Sequence, residues 1–421
     1  MKETIRKHKD TGKGGIYSIC SAHPTIIEAA FLFESKTDNK ILIEATSNQV
    51  NQFGGYTGMK PTDFIGFVKN IAKKTHFDEN RIIFGGDHLG PNCWVNDPPE
   101  IAMKKSLELI KQYVEAGFTK IHLDASMPCY GEPAVLSPEI IAQRAAQMCK
   151  QAELSNKKIN SNKLCYIIGT EVPIPGGEAN DLQSIHVSKL EDIKNTIDLH
   201  IKEFNHQGID DFDDKVIGVV VHPGVEFDHS KVFEYNNNET KAISEFIKST
   251  PWVYEAHSTD YQTKEKLKQL VNDSFAILKV GPGLTFAYRE AIISLAMIED
   301  FIIPENKKSQ FIPILKNQLL NNPKYWDKYY KGNFDTINQQ LFFSLSDRIR
   351  YYWTDEIINN ALSKLLMNLN NVEIPLSLVS QFFPNQYQLI KAHAINNTAE
   401  EIIISKVQDV LSDYSYGCAY E

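Results

Sequence analysis

The sequence predicts an α/β protein, a (β/α)8 barrel carrying a C-terminal helical extension. Three observations lead there. Eight short apolar runs rich in β-branched residues recur along the first three hundred residues. Segments with helical periodicity separate them, as the crossovers of a parallel sheet require. Acids and histidines gather at the ends of the runs, where a barrel of this kind places its functional groups. An open doubly wound sheet is the alternative, but the G-x-G-x-x-G phosphate fingerprint that such folds place after the first strand is absent.

The runs are, in order, GIYSIC (15–20), ILIEA (41–45), RIIFGGD (81–87), KIHLDAS (120–126), CYIIGTE (165–171), VIGVVVH (216–222), WVYEAHS (252–258) and AILKVG (276–281). Between them lie amphipathic segments such as PTDFIGFVKNIAKK, PEIAMKKSLELIKQYVEAG and SPEIIAQRAAQMCKQAE. Several open with Pro or Ser-Pro, which suits the first turn of a helix. From residue 301 the pattern changes to helices with Asn-rich turns and many aromatics, as in NNPKYWDKYYKGNFD and SLSDRIRYYWTDEI. Residues 1–300 are therefore expected to form the barrel, and 301–421 a helical extension packed on it, since no low-complexity linker separates them.

With 421 residues, 42% hydrophobic and 23% charged, the chain can bury a large core. The net charge of -9 and the lack of any Lys/Arg-rich run exclude an electrostatic footprint for nucleic acid or an anionic membrane. Small molecules and proteins are the expected partners. The start, MKETIRKHKDTGKGG, is basic but has no apolar stretch behind it, and no run reaches transmembrane length, so a cytoplasmic protein is expected. Six scattered cysteines without a CxxC pair argue for reduced thiols rather than a disulfide framework or a thiolate zinc site.

The run ends supply His23, Glu44, Asp87, His88, Asp124, Glu171, His222, Glu255, His257, Asp260 and Lys279. His88, His222 and His257 come from three different strands with carboxylates among them, the donor chemistry that holds a divalent cation while leaving a position for substrate. Glu255 and His257, two apart on a strand, point to one face. Lys279 interrupts an apolar strand, and its burial demands an anion or a carboxylate. Each of these has a plainer reading as a capping or hydrogen-bonded core residue, and the convergence of several on one mouth outweighs it. The loops suit a small phosphorylated or polyhydroxylated ligand. TSNQVNQFGGYTG (46–58) offers Ser47 and Asn48, EVPIPGGEAN has paired glycines, and VGPGLTF places Gly281 at the start of a helix, where backbone N–H groups bind phosphate.

At GGDHLGPN, EATSNQVNQFGGYTGM, KIHLDASM, YEAHSTDYQT and SLSDRIRYYW the sequence closely resembles, essentially end to end, the Z-subunit family of tagatose-1,6-bisphosphate aldolase (GatZ/KbaZ). That family is similar to the class II, metal-dependent aldolases, barrels that use an Asp-His pair after the third strand. The resemblance implies a divalent metal ion, zinc first among candidates, with His88, His222 and His257 as ligands and Asp87 and Glu171 as acid/base groups. If His222 is not a ligand, Glu171 or Asp260 completes the set. Lys279, Gly281, Ser47, Asn48 and Arg348 are expected around the substrate, a ketohexose phosphate.

Two roles follow from the resemblance. One is a noncatalytic companion that supports the activity and stability of a separate aldolase Y subunit. The alternative is an autonomous metal-dependent C4-epimerase or aldolase acting on a ketohexose or its phosphate. A homo-oligomer is compatible with either. The family has also been called a tagatose-6-phosphate kinase, but the chain has no Walker lysine loop and no kinase signature.

Overall fold

The computed structural model describes residues 1–159, 164–170 and 185–420. Eight parallel strands close into a barrel in chain order: β1 (Ile16–Ile19), β2 (Ile41–Thr46), β3 (Ile82–Leu89), β4 (Lys120–Leu123), β5 (Cys165–Ile168), β6 (Val216–Val220), β7 (Val253–Ala256) and β8 (Ile277–Val280). Residues Ile16–Ile19 of β1 pair with Ile277–Val280 of β8 and seal the ring. All eight apolar runs are barrel strands, because β-branched segments buried on both faces have no other stable place.

Helices flank the strands on the outside, among them Pro24–Glu34, Pro61–Lys74, Pro99–Ala116, Pro138–Ile159, Leu190–His206, Lys264–Asn272 and Pro282–Ile302. Outward strand residues such as Ile19, Ile43, Ile121, Ile168 and Val219 join them in one continuous apolar core. A second apolar cluster fills the barrel's interior near its N-terminal end and contains Ile16, Leu42, Ile167, Val253 and Ile277. Ile5, from an unexpected helix Lys2–Thr11, belongs to that cluster and plugs the end of the barrel.

Side chains two apart on a strand share a face. Two residues beyond Ile16, Leu42, Val253 and Ile277, the interior positions are Ser18, Glu44, Glu255 and Lys279, all buried. The barrel interior therefore changes from apolar to charged as it approaches its C-terminal mouth.

Beyond Ile302 the described chain is helical, and the last helix, Ala399–Cys418, packs against Pro24–Glu34, Lys264–Asn272 and Pro282–Ile302. It buries Ile402, Ile403, Val407 and Leu411, and Gly15 N–H donates to Cys418 O at 3.0 Å, so the first strand and the final helix meet. A small antiparallel hairpin, Glu226–Phe227 with Val232–Phe233, follows β6. Among the described residues no helix is long and apolar enough to cross a membrane.

Candidate active site

Neighbours in a regular strand face opposite sides, so Asp87 and His88 could not both reach one site from an unbroken β3. The strand is broken. Its pairing with β4 shifts register between Gly86 and Leu89, and His88 takes a left-handed φ of 47°. This bulge brings both side chains into one cluster. It is held by Ser47 Oγ, which donates to His88 O at 2.7 Å, and His122 Nδ1 lies beside it, 3.2 Å from His88 N. The flanking glycines are spatial necessities, since a Cβ on Gly85 would collide with the Glu44 carboxylate and one on Gly90 with Asp124 O.

Three imidazoles face one another there. Ring centroids are 5.1 Å apart for His88 and His122, 4.9 Å for His88 and His257, and 5.2 Å for His122 and His257. Each ring has its own carboxylate. His88 Nδ1 lies 2.7 Å from Asp124 Oδ2, His122 Nδ1 3.1 Å from Asp87 Oδ1, and His257 Nε2 3.0 Å from Glu255 Oε1. Ligand atoms of Asp87, His88, His122 and His257 all lie within 4.8 Å of one another. His122 Nε2 is buried without a hydrogen-bond partner, an expensive state for a ring nitrogen unless something binds it. An imidazole-rich set with carboxylates behind the rings fits a divalent cation.

Beneath the rings the charged layer is fully paired. Lys120 Nζ sits 2.7 Å from Glu44 Oε1 and 2.5 Å from Glu255 Oε2, with all three side chains 0% exposed. Lys279 contacts Glu44 and lies 2.7 Å from Asp87 Oδ1 and 3.8 Å from Glu255 Oε1. Burial alone would push the Asp87 carboxyl up, but His88, Lys279 and the bond from His122 outweigh it and hold it well below the usual range. Asp87 is thus an anion with Oδ1 engaged and Oδ2 freer, 3.8 Å from His88 Nε2. Burial pushes His257 down to about 3, so its imidazole is neutral.

A cavity of about 650 Å³ opens over this cluster, lined by Asp87, His88, His257, Lys279 and Gly281 on the barrel side and by Arg350, Tyr351 and Trp353 from the helical region. Asn48 lines it too. Ser47 does not; it is buried beneath the bulge, where it positions His88 rather than meeting a ligand. His222 stays outside the converging set, half-buried, with Nδ1 accepting from Gly224 N–H at 3.3 Å, and His122 occupies the place expected for it. Lys279 is surrounded by carboxylates, so its charge is spent within the protein. Arg348 is not among the lining residues, its guanidinium lying 3.0 Å from the centroid of Tyr329, while Arg350 reaches the lining. Glu171 lies outside the described residues.

His122 and Lys120 are the residues that sequence reasoning passed over, whereas SDRIRYYW, with Arg348 and Arg350, is expected near the barrel mouth from its sequence. A signal for both exists in KIHLD, where Lys120, His122 and Asp124 alternate with apolar residues between them.

A family model for the D-tagatose-1,6-bisphosphate aldolase subunit GatZ/KbaZ-like proteins matches residues 1–419. The D-tagatose-1,6-bisphosphate aldolase subunit GatZ of Salmonella paratyphi B is 52% identical over 99% of both chains. The subunit of the same name from Klebsiella pneumoniae is 51% identical over 100% of both. Among solved structures, a probable tagatose 6 phosphate kinase from Sinorhizobium meliloti superposes with a TM-score of 0.88 at 41% identity, covering 96% of this chain and 100% of that one. Matched in sequence from end to end and in its barrel, the chain belongs to the GatZ/KbaZ-like family of D-tagatose-1,6-bisphosphate aldolase subunits.

Proposed function

We propose that this protein is the Z-type subunit of a cytoplasmic tagatose-1,6-bisphosphate aldolase, binding a ketohexose phosphate at its barrel mouth and supporting the activity and stability of a catalytic Y subunit. Full-length identity to proteins of that name supports the role. The observation that carries the ligand class is the cluster of His88, His122 and His257, each backed by a carboxylate, beneath a cavity large enough for a sugar phosphate.

His88, His122 and His257 would hold a divalent cation, and zinc suits three imidazoles best. Bound there, the cation would polarise a ketose carbonyl as a Lewis acid. Around it, Asp124 and Glu255 orient His88 and His257 through their ring nitrogens. Asp87 presents Oδ2 as the oxygen that accepts or returns a proton, its other oxygen being fixed by Lys279 and His122. Glu171 is the candidate for the second proton transfer.

One observation favours a second reading, an autonomous metal-dependent ketohexose phosphate C4-epimerase or aldolase: the cluster and its acid Asp87 are built wholly from this chain. The kinase name carried by the Sinorhizobium meliloti relative finds no phosphate loop here. The experiment that decides is to assay the purified chain with added zinc on tagatose 1,6-bisphosphate and tagatose 6-phosphate, alone and mixed with a Y subunit. Activity and a raised melting temperature only in the mixture support the companion role, by mass action on the native state. Turnover by the chain alone supports the second reading, in which Asp87→Asn lowers turnover by roughly a hundredfold.

A further inference from the structure

The glycine amides at the start of helix Pro282–Ile302, a ready phosphate site on general grounds, are already taken. Gly281 N–H and Gly283 N–H both donate to Asp260 Oδ1, at 3.0 and 2.7 Å, and Asp260 is buried on the cavity wall. A protein carboxylate stands where a ligand's anionic group would otherwise go. Lys279 offers no alternative, being held by Glu44, Asp87 and Glu255.

Arg350 is different. It lines the same cavity as Asp87 and His257 and makes no ion pair among the described residues. Its guanidinium is steered by neutral groups: Nη1 donates to Ser346 O and to Asp347 O at 3.1 Å, and Nη2 donates to Tyr351 Oη at 3.0 Å. Three of the five N–H donors of an arginine are used in this way, leaving Nε–H and one on Nη2 as donors that the oxygens of an anion can take. The segment bearing it is firmly anchored. Asp347 pairs with the buried Arg289 at 2.8 Å, Tyr261 Oη donates to Leu345 O at 2.5 Å, and Arg348 N–H donates to Tyr330 Oη at 3.2 Å. A cation without an ion pair of its own, with the Asp347 and Asp260 carboxylates nearby but not in contact, and held in place over a cavity of this size, is preorganised for an anion.

We infer that Arg350 is the residue that recognises the phosphoryl group of the ligand, taking it at the helical rim of the cavity rather than at the glycine turn after β8. This rests on the sugar-phosphate reading for the remainder of the ligand, though not for the anion itself. The helical region thereby contributes directly to specificity.

Isothermal titration of the full chain with inorganic phosphate, tagatose 6-phosphate and unphosphorylated tagatose tests this in wild type, Arg350→Gln and Arg350→Lys. Arg350→Gln is expected to weaken binding of inorganic phosphate and tagatose 6-phosphate roughly tenfold or more, the scale of a lost charged hydrogen-bonding pair. Its affinity for unphosphorylated tagatose should stay unchanged. Arg350→Lys keeps the charge without the fork, so it is expected to fall between the two and to answer the question should the glutamine variant misfold. Equal phosphate affinity in wild type and Arg350→Lys together with Arg350→Gln, or no response of the wild type to either phosphate ligand, overturns the assignment. Arg350-dependent phosphate binding with no added affinity for tagatose 6-phosphate would uphold Arg350 while defeating the sugar reading.

Discussion

His88 Nδ1 and Asp124 Oδ2 lie 2.7 Å apart, both buried, so the carboxylate fixes the ring and leaves Nε2 directed toward Asp87. Asp124 also accepts from Ser126 Oγ at 2.7 Å and from Asn92 Nδ2 at 3.2 Å, which locks its own orientation. Asp124→Ala is expected to lower zinc affinity about 10- to 100-fold, the usual effect of removing such a partner. Competition with a chromophoric chelator measures it, and an unchanged affinity would remove Asp124 from the metal site.

His122 and His222 make opposite forecasts. The first belongs to the converging set and has a buried Nε2 without a hydrogen-bond partner, and the second is occupied with its own turn. His122→Ala should reduce bound metal, as should His88→Ala, whereas His222→Ala should retain it. Elemental analysis of the purified variants is sufficient, and the reverse order would restore His222 as a ligand.

Lys120 neutralises Glu44 and Glu255 where no water reaches them. Lys120→Met keeps the apolar stem but leaves two buried carboxylates short of a partner. Loss of one member of such a network costs about 3–5 kcal/mol, to be read as a lowered denaturant midpoint. A midpoint equal to wild type would show that Lys279 can carry both acids.

Acid sensitivity should also come from an outer helix. His200, on helix Leu190–His206, is 0% exposed, with Nδ1 2.7 Å from Thr196 O, and burial pushes its pKa down to about 4. Because the folded pKa lies below the unfolded value of about 6.5, the unfolded chain takes the proton first. The native advantage is complete above pH ~6.5 and is lost as pH falls toward 4, for a total of about 3 kcal/mol. His200→Gln should flatten stability against pH in that window by up to about 1.4 kcal/mol per pH unit. Urea denaturation at several pH values gives both slopes, and parallel curves would refute the assignment.

The strands were legible because their signal is local: ILIEA or VIGVVVH is apolar without interruption, whatever surrounds it. The helix Lys2–Thr11 was not, since it buries only Ile5 and His8 and its charged remainder looks like an exposed arm. Asp87 and His88 could be named from the motif, but the bulge that aims both inward depends on pairing with β4. Lys279 was read as awaiting a ligand because its partner Glu44 is 235 residues away. His122 was hidden within an apolar run. Arg348 and Arg350 are two apart in the 3-10 turn Arg348–Tyr352, where about 120° per residue sends them in different directions, a distinction that composition cannot make.

The meeting of Gly15 with Cys418 has a consequence for synthesis on the ribosome. A nascent chain that has not yet reached Ala399 holds every barrel strand but lacks the helix that covers Pro24–Glu34, Lys264–Asn272 and Pro282–Ile302. Contacts that span nearly the whole chain form late and slowly. Until they form, the apolar faces awaiting Ile402, Val407 and Leu411 are open to other chains. Chaperone protection during translation is therefore a property written into the order of the elements, and a stop codon before Ala399 should yield an aggregating barrel rather than a smaller soluble one.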